Sequence, residues 1–292
     1  MDAWNLPDLI VFLEVVRAGS LTRAAERLHT VQSNVTARIK SLEAAAGVAL
    51  LARHARGVRP TPAGEAALLL AQRTDAVLDD LRFTFGKGSR QAAKLRLGAI
   101  ETVAATHLPT LVAAFARQHP AVDVSVQTGS SLALLKQLKQ GELDVAFVSR
   151  AGQLAGFREQ VAFLDQLVVV APRTTAAPLA KLLGAQGPPL KVLVQRLGCS
   201  YTERLLTHLG QTSPRPYRLL ELGTLEGILA FVEAGVGIAA MPRGFAAALG
   251  GARKIRLLAL PRALARLETF LVAPARADAS RSANAFVDVL IR

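Results

Sequence analysis

Gln32, Ser33, Thr36 and Lys40 fall on one face of a helix at a hundred degrees per residue, with Asn34 on one flank and Arg38 on the other. These groups carry amide, hydroxyl and cationic hydrogen-bonding functions on short reach, and none is paired with a base or nucleophile. Their chemistry is recognition. Gln and hydroxyl side chains address the donor and acceptor pattern on base edges in a major groove, and Lys reaches guanine or phosphate. A solvated amphipathic helix would favour long Glu, Lys, Gln and Arg chains instead. The opposite face carries Val31, Val35, Ile39 and Leu42, the four-four-three spacing of a buried stripe.

A second set is cationic. The full chain of 292 residues has a net charge of +13, but the distribution is informative. Residues 17 to 60 hold Arg17, Arg23, Arg27, Arg38, Lys40, Arg53, Arg56 and Arg59 against only Glu26 and Glu43. Arg53, Arg56 and Arg59 sit in "LARHARGVRP", which reads as two short strands around a basic turn, a wing able to meet the DNA backbone or minor groove.

A third set lies at strand-to-helix junctions: Glu101 and Thr102, Thr128 to Ser131 in "TGSS", Cys199 and Ser200, and Thr224. Ser200 followed by Glu203 is a capping box. Helix amino termini facing a common cleft favour an anion, most simply a carboxylate, and Glu101 would add a partner for an amine.

The elements that must position these groups follow from periodicity and turn chemistry. Leu6, Leu9, Ile10, Leu13 and Val16 share one helical face that stops at Gly19, and Ser20 caps a short second helix before the recognition helix. This is a helix-turn-helix. Thr61 and Pro62 start a long helix in which Leu68, Leu69, Gln72, Leu78, Leu81 and Phe85 are spaced for a partner helix, suggesting dimerisation. "GKGSRQAAK" reads as the linker. Beyond it, eight strands near residues 95, 122, 143, 166, 191, 217, 237 and 269 alternate with helices near 103–118, 131–140, 200–209, 224–234 and 280–291. Such alternation predicts a mostly parallel α/β sheet with a ligand cleft between two lobes.

Composition narrows the classes further. Half the residues are hydrophobic, yet the longest apolar stretch contains Glu233 and two glycines, and the start is acidic, so neither a membrane span nor a signal peptide is expected. A single cysteine excludes an internal disulfide and agrees with a cytoplasmic location. The five histidines show no ligand spacing, so no metal is expected.

The run "AAERLHTVQSNVTARIKSLEAAAGVALLARHARGVRPTPAG" resembles the winged helix-turn-helix of LysR-type transcriptional regulators, and the remainder resembles their effector domain of periplasmic-binding-protein type. The resemblance implies a homo-oligomer, dimer or tetramer, that binds double-stranded DNA at an interrupted inverted repeat, contacts RNA polymerase and responds to a small-molecule effector, with no other cofactor. It assigns DNA reading to Gln32–Lys40 and Arg53–Arg59. Ala37 departs from the basic residue many relatives carry there, leaving Arg38 or Lys40 to substitute. The expected layout is a DNA-binding domain at 1–60, a dimerisation helix and hinge at 61–90, and an effector domain at 91–292, with lobe I at 91–162 and 265–292 and lobe II at 163–264.

Plain roles compete with these. Lys40 can be simply solvated, Arg38 can pair with Glu43, Ser130 and Ser131 can merely cap a helix, and Cys199 can be a small buried hydrophobe. Two other functions also compete: a thiol redox sensor using Cys199, and an enzyme with a DNA-binding head using Cys199 and His208. Nine residues along one helix separate that last pair by more than a hydrogen bond.

Overall fold

The computed structural model describes residues 4–54, 57–85, 93–149, 156–184, 188–195, 200–251 and 253–291, except for the side chain of Arg53. The chain opens with α1 (Leu6–Ala18), α2 (Leu21–Arg27), α3 (Gln32–Ala46), β1 (Leu51–His54), β2 (Gly57–Pro60) and α4 (Pro62–Phe85). There follow β3 (Ala93–Ala99), α5 (Glu101–Thr106), α6 (Leu108–Gln118), β4 (Val122–Thr128), α7 (Ser131–Lys139), β5 (Val145–Val148) and β6 (Phe157–Pro172). The last third holds α8 (Leu179–Gly184), β7 (Leu190–Val194), α9 (Ser200–Thr212), β8 (Tyr217–Glu221), α10 (Leu225–Glu233) and β9 (Ala239–Pro242). It closes with α11 (Arg243–Gly250), β10 (Ile255–Ala259), α12 (Arg262–Ala265), β11 (Arg266–Pro274) and α13 (Arg281–Ile291). Two compact units result, one of Met1–Ile100, Pro109–Gln160 and Leu271–Arg292, the other of Glu101–Leu108 and Val161–Phe270.

In the first unit the head packs around Phe12, Val15, Ala24, Val35, Ile39, Leu42 and Leu68, so the apolar stripe of α3 is its inner face. Val31 does not join it. It stands just ahead of the first helical turn, where the 3.6-residue rotation does not yet apply, and is 65% exposed. Side chains then fix the elements beside α3. Ser20 Oγ accepts from the Arg23 N–H and caps α2. The Glu43 carboxylate accepts from the N–H groups of Leu50 and Leu51 at 2.8 and 3.1 Å, tying the entry of β1 to the end of α3. Thr61 Oγ1 accepts from the Gly64 N–H at 3.0 Å, the cap that starts α4. Glycine is required at two contacts here. Gly57 has φ +126° and its Cβ would strike the carbonyl of Gly19, to which the Val58 N–H donates at 3.1 Å. At Gly64 a Cβ would strike the carbonyl of Leu50. The wing is thus docked on the head.

The remainder of the first unit is built on parallel pairing of β3 with β4 and with β5, and β11 lies beside β5. Between α1, α4 and this sheet runs a chain of charges. Arg17 Nη2 meets Asp75 at 2.7 Å, Asp75 lies 4.0 Å from Arg96, and Arg96 Nη2 meets Asp144 at 2.6 Å. Burial works against the charge of Arg96, but Asp144, with Asp75 and Asp79 behind it, outweighs burial and holds the guanidinium above its usual range. Asp79, nearby on α4, bonds Arg82 at 2.8 Å. Burial nonetheless pushes its carboxyl above the usual carboxylate range. Arg17, Asp75, Asp79, Arg96 and Asp144 wall a cavity of about 250 Å³.

In the second unit β6 pairs antiparallel with both β9 and β10, while β7 and β8 pair in parallel. The expectation of a mostly parallel sheet therefore fails in this unit. A continuous apolar run such as "QLVVVAP" marks a buried strand without fixing its direction. The single helix expected over 103–118 is two, parted at His107, because Pro109 has no N–H to donate to the Ala105 carbonyl of a continuous helix.

Candidate nucleic-acid interface

On the outer face of α3, Gln32, Ser33, Thr36, Ala37 and Lys40 line an open surface depression, while Val35 and Leu42 beneath them are fully buried. Four of the residues read from the sequence as base-facing thus come together, with Ala37 leaving space between them. Two of the flanking residues do not point the same way. Asn34 Nδ2 donates to Thr30 Oγ1 at 2.9 Å, turning its amide back along the chain. Arg38 Nη1 meets Asp8 Oδ1 at 2.9 Å, and Asp8 is only 4% exposed. Arg38 is therefore tied to α1 through one guanidinium nitrogen, and its carboxylate partner is Asp8 rather than Glu43.

One contact was not anticipated. Thr22 Oγ1, on α2, donates to Gln32 Oε1 at 3.2 Å. No periodicity links two residues on different helices, so the only signal was the short turn that brings α2 and α3 together. In the wing, β1 and β2 pair antiparallel with Arg53 opposite Val58 and Ala52 opposite Arg59, and Arg59 is exposed. Arg56 and the side chain of Arg53 lie outside what is described.

The junction residues assigned to an effector divide by unit. In the first, Thr128 ends β4, the Gly129 N–H donates to the Ala99 carbonyl at 3.2 Å, and Ser130 Oγ accepts from Ala133 N–H at 3.3 Å as the cap of α7. Ser131 Oγ accepts from the Ser149 N–H at 3.2 Å and lies 3.1 Å from Ser149 Oγ. In the second, Glu101 accepts from Gln195 Nε2, and Thr102 Oγ1 lies 3.2 Å from Tyr201 Oη. Thr224 Oγ1 accepts from the Gly227 N–H at 3.0 Å and caps α10, and Ser200 is the first residue of α9. Cys199 lies outside the described residues. Ser149, Tyr201 and Gln195 were missed because their partners lie on elements distant in sequence, 18, 99 and 94 residues away. A hydroxyl that accepts at a cap keeps its proton to donate, so Ser130 and Thr224 are capped and still able to bind an acceptor.

Beside Thr102 and Tyr201, the His107 ring stacks on Phe163 at 3.9 Å between centroids. Burial lowers its pKa, with Asp165 opposing in part. Among the described residues no three His, Cys, Asp or Glu side chains are grouped to hold a metal ion, and no helix is long and apolar enough to cross a membrane.

Residues 6–65 match the family model described as bacterial regulatory helix-turn-helix protein, lysR family, and residues 88–292 match that described as LysR substrate binding domain. The uncharacterized HTH-type transcriptional regulator YusT of Bacillus subtilis (strain 168) is 36% identical over 284 residues, covering 96% of this chain and 93% of the relative. Two solved structures share the fold. Full-length LysG from Corynebacterium glutamicum with bound effector Arg has a TM-score of 0.69 at 19% identity, covering 99% of this chain and 97% of that one. Full-length CbnR complexed with its target DNA has a TM-score of 0.55 at 23% identity, covering 99% of each chain.

Proposed function

Because the chain belongs to the LysR family of DNA-binding, effector-responsive transcriptional regulators, we propose that Gln32, Ser33, Thr36 and Lys40 are its base-reading residues. The observation that carries this is the two-sidedness of α3, with Val35, Ile39 and Leu42 locked in the head core and an outer face of short polar groups around Ala37. Such a face lets a helix sit deep in the major groove. Arg59, with Arg53 and Arg56 nearby in sequence, supplies the phosphate contacts of the wing. The regulator acts on double-stranded DNA as an oligomer.

The effector is a small carboxylate in this reading. Support comes from the hydroxyl donors at Ser130, Ser131 and Ser149 in one unit and at Thr102, Tyr201 and Thr224 in the other. Charge-assisted bonds from such groups are stronger than neutral ones. LysG, whose structure holds the effector Arg, supports a ligand that carries a carboxylate. The domain layout we propose runs 1–60, 61–90 and 91–292, in a cytoplasmic protein. The relatives are transcriptional regulators rather than enzymes, and nothing favours the thiol-sensing alternative.

The test uses duplexes selected from a randomised pool, titrated with the full chain at several salt concentrations. Ser33→Ala and Thr36→Ala each lower the ratio of selected to random affinity by about 1–3 kcal/mol per base contact. Arg59→Ala weakens both about equally and makes the salt slope shallower by about one unit. An unchanged ratio in both helix variants sinks the assignment.

A further inference from the structure

The cavity of about 250 Å³ beside α4 lies wholly within the first unit, walled by α1, α4, β3, the start of β6 and the segments 138–144 and 274–283. Its charges fall into pairs. Arg17 meets Asp75, Arg96 meets Asp144, and Arg73 meets Asp278 at 2.7 Å, so three lining arginines are matched by three lining carboxylates. Asp79 is left over. Its Oδ1 accepts from Arg82, which is not among the residues that line the cavity, and no described group donates to Oδ2. The side chain is only 7% exposed. Arg17 Nε also lacks a partner, but it is closed to water and therefore to a ligand.

The rest of the wall includes Leu69, Leu143, Phe157 and Pro274, which offer an apolar surface. A hole of ~150 Å³ holds benzene, so this one has room for about six to ten non-hydrogen atoms. A lone carboxylate oxygen in an otherwise matched wall calls for a donor, and a cationic donor bonds a carboxylate more strongly than a neutral one. Burial favours the protonated form of Asp79, the bond from Arg82 opposes it without outweighing it, and Asp75 and Asp144 add repulsion. An ammonium against Oδ2 favours the ionised form instead. Proton and organic cation therefore compete for the same carboxylate, and Arg17, Arg73 and Arg96, each held by its own acid, do not enter the exchange.

We propose that this cavity is a binding site for a small organic cation, a primary amine on an apolar body, with the ammonium on Asp79 Oδ2 and the body against Leu69, Leu143, Phe157 and Pro274. The site shares no residue with the hydroxyls assigned to a carboxylate effector, and it stands whether or not that assignment holds. Its walls come from α1 of the head as well as from the sheet, so the ligand bridges the two.

The experiment is calorimetric titration of the full chain with benzylamine and with benzyl alcohol, its neutral counterpart of the same shape, at several pH values. Benzylamine binds, and benzyl alcohol binds at least about tenfold more weakly. Asp79→Asn keeps the shape and removes the charge, and it lowers benzylamine affinity by at least about tenfold. Glu101→Gln, which removes the carboxylate read from the sequence as an amine partner, keeps that affinity within about twofold of the unaltered chain. Below the folded pKa of Asp79 the affinity rises with pH by up to about tenfold per unit, one proton being released, and the rise disappears in Asp79→Asn. No binding of benzylamine leaves a cavity for water only and overturns the inference. Equal binding of the alcohol, or an affinity that survives Asp79→Asn, overturns it too. Loss in Glu101→Gln with Asp79→Asn unaffected moves the amine to the second unit and has the same result.

Discussion

Truncating Asp144 to alanine removes three hydrogen bonds at once, because its two carboxylate oxygens accept from the Arg96 backbone N–H at 2.7 Å and from Nε and Nη2 at 3.1 and 2.6 Å. The pair is mostly out of water, with side-chain exposures of 24% for Arg96 and 12% for Asp144. Breaking such a pair from one side strands a desolvated cation, which costs about 3–5 kcal/mol. Asp75, at 4.0 Å, recovers part of that, so the lower half of the range is expected. Hydrogen exchange of the β3 and β5 amides reads the loss locally, whatever the second unit does. Their opening becomes easier by roughly two orders of magnitude or more, taking 1.4 kcal/mol per tenfold. Arg96→Met combined with Asp144→Leu is milder than Asp144→Ala alone, because neither charge of the pair is left without the other, Asp75 keeps Arg17, and the Arg96 N–H goes unpaired at about 1–3 kcal/mol. A loss below about 1 kcal/mol in Asp144→Ala would falsify the reasoning, since the pair would then behave as a hydrated surface contact.

Val77 and Leu81 are exposed one turn apart on α4, in line with Phe85 and with Leu70 two turns back, so Val77→Asp with Leu81→Asp converts the oligomer toward monomer and weakens DNA binding. Light scattering with circular dichroism checks it, and an intact dimer carrying both carboxylates moves the contact off α4. For Asp79, whose folded pKa is raised by burial, the folded chain binds its proton at a pH where the unfolded chain has released it, so stability falls as pH rises through that value. Asp79→Asn therefore raises the melting temperature at pH 7, and the gain fades as pH is lowered toward the unfolded value of 3.8. An equal gain at every pH contradicts this account.

The head was legible almost residue by residue. Ser20, Thr61 and Gly19 act through local backbone geometry, and Val35, Ile39 and Leu42 act through a period that one helix declares by itself. What stayed hidden depends on where separate elements meet. Asp8 claims Arg38 across 30 residues, and Thr22 meets Gln32 across two helices. The strand β10 and the short helices α8, α11 and α12 were missed because four to eight residues give too little periodicity to register. For the effector side, sequence located the helix starts at Ser131, Ser200 and Leu225. It did not give Ser149 as the partner of Ser131, nor Tyr201 and Gln195 as those of Thr102 and Glu101, because each pair joins separate elements.

The engagement of Arg38 by Asp8 leaves Lys40 as the one cation on the outer face of α3 among the residues that line its depression. Neutral amides and hydroxyls displace no counterions, so on the proposed assignment the helix contributes little to the ionic part of binding, and that part falls to the arginines of the wing. Affinity and selectivity are thereby carried by different pieces of the head. Rising salt then erodes binding to every sequence in nearly equal proportion, and the preference for the right sequence over the wrong one is kept. Such a regulator is released from DNA by rising salt without losing its sense of address.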